Sequence, residues 1–163
     1  MSKDELIEIL KNYKENVAKL KLRRLEKRKY EKRLKEYRRL ESAVTSSFGL
    51  NQDIHSQNKI SNKTEKTAID TIEKNEKEIE EAKKKIIELE AEISELEIIV
   101  LEAEIRLEAL KYKEKEILYA YYVEGRTYED IGNNLYFRLF NQTRDKDTIK
   151  DIVENAAKKM IFL

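Results

Sequence analysis

The stretch YYVEGRTYEDIGNNL, Tyr121 to Leu135, decides how the chain is to be read, because it holds two of the chain's only three glycines, seven residues apart. Before it, Ile117, Leu118, Tyr121 and Tyr122 form the broad apolar face of a helix expected over Lys113 to Glu124. Gly125 then stands where a helix end asks for a left-handed residue. Thr127 is expected to cap the next helix, with Asp130 three residues on completing a capping-box-like pair. Ile131 and Leu135 point inward, and Gly132 beside Ile131 marks a place where two crossing helices approach closely.

Beyond Leu135 the segment YFRLFNQTRDKD, Tyr136 to Asp147, either lengthens the second helix or forms an aromatic flap. A last helix is expected over Thr148 to Met160, capped by Asp145 or Asp147. Its apolar face is Ile149, Ile152, Val153, Ala156 and Met160, with Lys150, Asp151, Glu154, Asn155, Lys158 and Lys159 outside. Helix, glycine corner, capped short helix, connection and amphipathic helix make up a helix-turn-helix.

Upstream of the corner, one pattern dominates. Ile72, Ile79, Ile86, Ile93, Val100 and Leu107 recur every seven residues, and Asn75, Ala82, Leu89, Leu96, Ala103 and Leu110 form the companion row. Branched residues in one row and Leu or Ala in the other are a coiled-coil signature, with Asn75 setting register at some cost in stability. This helix is expected to begin near Thr64. A first helix is expected from Lys3 to Leu40, with an apolar seam of Leu6, Leu10, Tyr13, Val17 and Leu20 that shifts phase through Leu22 and Leu25. Between the two, residues 42–63 read as a long polar loop.

Charge ties the two long helices together. Residues 1–40 hold fifteen Lys/Arg against seven Asp/Glu, while residues 64–110 hold seven against fifteen. Opposite surpluses point first to mutual pairing. The first helix and residues 65–103 are each about 39 residues long, roughly 58 Å at 1.5 Å per residue, so an antiparallel hairpin fits. Near its open end IIVLEAEI, Ile98 to Ile105, is apolar on several faces and needs further cover. The same heptad rows would equally serve a homodimer through the coiled coil, because pattern alone does not name the partner. The expected fold class is therefore all-α: residues 1–107 a long antiparallel helical hairpin or coiled coil with the 42–63 loop, and residues 108–163 a small helix-turn-helix domain.

Composition narrows the chemistry. The chain is 41% charged, with a net charge of +1 and neither cysteine, proline nor tryptophan. No disulfide or thiolate metal site is possible. No signal peptide opens the chain, and Ile98 to Leu101 is far too short to span a bilayer, so no membrane association and a cytoplasmic location are expected. His55 stands alone in the polar loop, without the partners a metal site needs. Gly49, Gly125 and Gly132 lie too far apart for a phosphate loop, and no nucleophile and base fall into a catalytic pattern. Neither an enzyme, a cofactor nor a metal is expected.

The segments LEALKYKEKEILYAYYVEGRTYEDIGNNL and DTIKDIVENAAKKM resemble region four of bacterial sigma factors. Together with the polar NKISNKTEKTA, Asn58 to Ala68, and the acidic coiled-coil helix, they are similar to stand-alone phage regulators of the ArpU type. The resemblance implies sequence-specific binding of double-stranded DNA and control of late or lytic phage genes, with RNA polymerase as a further partner. It puts Thr148, Lys150, Asp151, Glu154 and Asn155 on the outward side of the recognition helix, and Lys158 and Lys159 near phosphates. Arg126, Thr127, Arg138, Arg144 and Lys146 flank that site. Two other readings stand beside it: a structural or protein-interaction scaffold, and a small-terminase-like DNA-packaging subunit.

Overall fold

A computed structural model describes residues 2–49 and 62–162; His55 and Asn58 to Ser61 of the polar segment lie outside them. Among the described residues every regular element is helical, so the chain is all-α. The elements are α1 (Lys3–Lys11), α2 (Tyr13–Gly49), α3 (Asn62–Glu108), α4 (Tyr112–Tyr122), α5 (128–140) and α6 (Lys146–Ile161). Helix α5 is composite: Tyr128–Asp130 and Tyr136–Phe140 are α-helical, and Ile131–Leu135 between them is a π-helical turn.

Several boundaries differ from the sequence reading, most of all in the two long helices. The first helix is not continuous from Lys3: the chain breaks at Asn12, whose φ of −87° and ψ of 0° depart from helical values. Ser2 and Glu5 cap the short α1 reciprocally, the Ser2 Oγ accepting from the Glu5 N–H and Glu5 Oε2 from the Ser2 N–H. Helix α2 continues through Ser42 to Gly49, and α3 starts at Asn62 rather than Thr64, so both ends of the expected 42–63 loop are helical. Ser, Thr and Asn are weak helix formers, but a helix already nucleated and packed elsewhere propagates through them at small cost.

The chain divides into two compact units, residues 22–93 and residues 1–21 with 94–163. This division differs from the expected boundary at residue 107, and the reason is the apolar seam of α1.

In the unit of residues 22–93, α2 and α3 run antiparallel. Arg23 Nε meets Glu92 Oε2 at 2.6 Å, Lys27 Nζ meets Glu90 Oε1 at 2.8 Å, and the Tyr37 hydroxyl donates to Glu78 Oε2 at 3.2 Å. The basic helix thus pairs with the acidic one. Such exposed pairs contribute at most about 1 kcal/mol each, so the seam does the holding: Ile79, Ala82, Leu89 and Ile93 of the heptad rows are buried.

The other unit has two joined cores. Leu6 and Leu10 of α1 are buried with Leu107 and Leu110, Leu118 of α4, and Ala156, Ala157 and Met160 of α6. Ile117, Ala120, Ile131, Leu135, Tyr136, Ile149 and Val153 form the second. The start of the chain is therefore built into the C-terminal module. The Tyr13 hydroxyl donates to Glu104 at 2.9 Å, and burial together with that carboxylate pushes its phenol up to about 12.

Candidate nucleic-acid interface

Helix α4 ends as its glycine requires. Gly125 has φ +69°, which lets the Arg126 N–H turn back to the Ala120 carbonyl at 3.0 Å. Thr127 then caps α5, its hydroxyl accepting from the Asp130 N–H at 3.2 Å. The expected reciprocal box is not made. The Asp130 carboxylate instead accepts from Asn134 Nδ2 at 2.7 Å and faces Arg126 at 3.5 Å, being too short to reach back to the cap.

The Tyr136–Asp147 segment resolves into two parts. Tyr136 to Phe140 extend α5, and Asn141, left-handed at φ 53°, stops it. The chain returns at once: the Arg144 N–H donates to the Gly132 carbonyl at 3.1 Å, so the connection lies directly on the glycine. A Cβ on Gly132 would sit 2.1 Å from the Arg144 carbonyl oxygen. The close approach is thus with the connection as well as with α6, where Ile149 Cγ1 would be 3.4 Å away. Asp145 caps α6, accepting from the Thr148 N–H at 2.8 Å and from its hydroxyl at 2.9 Å, which lowers the Asp145 carboxyl below its ordinary range.

Helix α6 buries Ile149, Val153, Ala156, Ala157 and Met160 against the rest of the module. Its opposite face is open: Lys146, Asp147, Lys150, Asp151, Asn155, Lys158 and Lys159 are exposed, and Thr148 and Glu154 are half-buried. Several of the residues marked out by sequence have partners within the fold. Thr127 and Thr148 serve caps. Arg126 is held by Glu124 at 2.8 Å, Lys150 lies 4.0 Å from Glu154, and Lys159 bonds Glu114. Arg144 lies over the Tyr136 ring and donates to Gln142. Arg138 is exposed on the extension of α5. Residues 126–159 as a whole carry seven Lys/Arg and six Asp/Glu, a mixed face.

Two contributors were not read from the sequence. Lys113 covers the Tyr136 ring at 4.7 Å and Phe140 at 5.9 Å. Burial alone would raise the Tyr136 phenol, but hydrogen bonding from Lys113 and Arg144 brings it below its ordinary 10. Arg106 of α3 reaches the far end of α6: its Nη1 donates to the Met160 carbonyl, while Nε and Nη2 are held by Glu102. Both residues look like surface charges in the text, and only the packing gives them these tasks. On the other flank Tyr121 and Tyr128 stack at 4.3 Å, and burial, then the Tyr121 contact, raises the Tyr128 phenol.

The Lys159–Glu114 pair makes a prediction. Its hydrogen bond is the main reason the Glu114 carboxyl lies below the ordinary 4.5, with burial opposing. A depressed folded-state value means the stabilisation is complete above the ordinary value and is lost as pH falls through the lowered one. Between about pH 5 and pH 3 the wild-type melting midpoint should therefore fall further than that of Lys159→Gln. With Lys159 half exposed, the difference should not exceed about 1 kcal/mol. Thermal melts of the two proteins across that range check it.

Among the described residues, no cluster of three or more His, Cys, Asp or Glu is placed to hold a metal ion, and no helix is long and apolar enough to cross a membrane. The chain matches no family model, no curated protein and no solved structure.

Proposed function

We propose that the chain is a sequence-specific DNA-binding transcription regulator of the sigma-like phage type, with α4, α5 and α6 as the reader of double-stranded DNA. One observation carries this reading. The last helix of a three-helix module is capped, buried along one side and open along the other, and the open side presents Lys146, Lys150, Asn155 and Lys158. A helix so mounted fits the major groove, where an Asn side chain pairs with adenine and an acidic one accepts from cytosine. Asn155 and Asp151 take those base-reading roles. Lys146, Lys150 and Lys158 meet phosphates, and the helical hairpin provides the surface for RNA polymerase.

A gel-shift titration against duplexes enriched from a random pool tests the reading. Asn155→Ala should lose about tenfold and relax the choice at one base pair. Lys150→Glu should weaken binding on all sequences and flatten the salt dependence by about one phosphate contact or more. Unchanged retention in both variants, or no retention at any salt, sinks it.

The mixed charge of the face favours one other reading, a protein-interaction scaffold. Phe137 and Tyr112 are large and exposed on the same module, and aromatic side chains of that kind anchor protein contacts. In that reading the module retains no duplex, and Phe137→Ala weakens capture of a protein partner.

A further inference from the structure

Each long helix carries a second apolar row, turned away from the seam that joins the two. On α3, Val100 and Ala103 are buried in the seam, whereas Ile98, Leu101 and Ile105, spaced by three and four, are 65%, 55% and 58% exposed. At 100° per residue, Glu97, Glu104 and Glu108 border this row on one side, and Glu95 and Glu102 on the other. On α2 of the 22–93 unit, Leu22 and Leu25 are 64% and 50% exposed and floor a shallow groove whose charged lining is Arg23, Lys29 and Arg33 against Glu26, itself paired with Arg23, with Arg28 and Lys32 exposed nearby.

The borders of the two rows oppose in charge. An α3 row facing its own copy would set glutamates against glutamates, which repel. Facing an α2 row, the same glutamates meet lysine and arginine while the aliphatic side chains leave water. The seam residues are used within the chain, whereas the aliphatic side chains of the outer rows are exposed to solvent. We infer that this protein self-associates, the acid-bordered Ile98–Leu101–Ile105 row of α3 in one copy docking on the base-bordered Leu22–Leu25 row of α2 in a second. The contact uses faces opposite to the heptad seam and stands whatever partner the C-terminal module takes.

Sedimentation velocity of the full chain over a dilution series reads it. Because the contact joins unlike faces, species of two or more times the 19.5 kDa chain mass should form and dissociate on dilution. Leu101→Lys or Leu22→Glu should each weaken association by at least about tenfold, because each sets like charges face to face. Both positions are exposed, so helicity at 222 nm should be unchanged; Leu25→Glu, on the same row, reads the contact again should either variant fold poorly. Combining Leu101→Lys with Leu22→Glu places the new lysine opposite the new glutamate and should restore association. A single-chain mass at every concentration overturns the inference. So do single variants that associate like wild type, or a combined variant that stays apart.

Discussion

Gly132→Ala should unfold the C-terminal module well below the wild-type temperature, at a cost of about 3 kcal/mol or more. The added Cβ falls 2.1 Å from the Arg144 carbonyl oxygen and 3.2 Å from its carbon. Those atoms are backbone and have no rotamer by which to retreat. Relief means moving the 141–145 connection outward, which also gives up the Arg144 N–H bond to the Gly132 carbonyl and loosens the Asp145 cap behind it. Overpacking in a tight interior costs about 1–3 kcal/mol, and a lost buried hydrogen bond adds about 1 kcal/mol. Gly125→Ala is the control. Its Cβ would meet nothing within 4 Å, so only the left-handed φ of +69° is strained, at about 1–2 kcal/mol. Chemical denaturation of both variants decides: equal losses would mean that the Gly132 contact is softer than its geometry.

Leu10→Ala is the second large effect, at about 2–5 kcal/mol. Leu10 is fully buried among Leu118, Met160, Leu107 and Ala157, so its truncation leaves a cavity where α1 meets α4 and α6. Removal of the α1 seam should therefore melt helices more than a hundred residues away. Leu40→Ala, at an exposed position, should change stability by less than about 0.5 kcal/mol. A Leu10 variant as stable as the Leu40 variant would show that α1 is an appendage and not part of the module.

Much of this was legible, for reasons that differ from residue to residue. Gly125 and Gly132 could be read because so few glycines are present and each answered a separate need, one of dihedral angle and one of space. The caps Thr127 and Asp145, and the heptad rows, follow from local rules that tertiary structure did not override. The place of α1 was hidden, since Leu6 and Leu10 have the same spacing as Tyr13, Val17 and Leu20. Only the break at Asn12 separates the two runs, and Asn is not a strong stop. The Ser2–Glu5 box is a local motif of the same kind, a Ser followed three residues on by Glu. The π turn at Ile131–Leu135 has no signature in composition; it widens the helix so that Ile131, Gly132, Leu135 and Tyr136 all face inward. Of the candidate site, the open side of α6 was legible from its period. The pairing of Arg126 with Glu124, and of Lys159 with Glu114, was not, because it depends on where other helices bring their carboxylates.

The two termini of α6 are gripped by groups outside its own turns. Asp145 holds the first amides, and Arg106, steadied by Glu102, holds a carbonyl of the last turn. A rod clasped at both tips has no axial play. Whatever it docks against, α6 has no room to slide lengthwise to improve the fit, so adjustment is left to its outer side chains or to displacement of the module as a solid body.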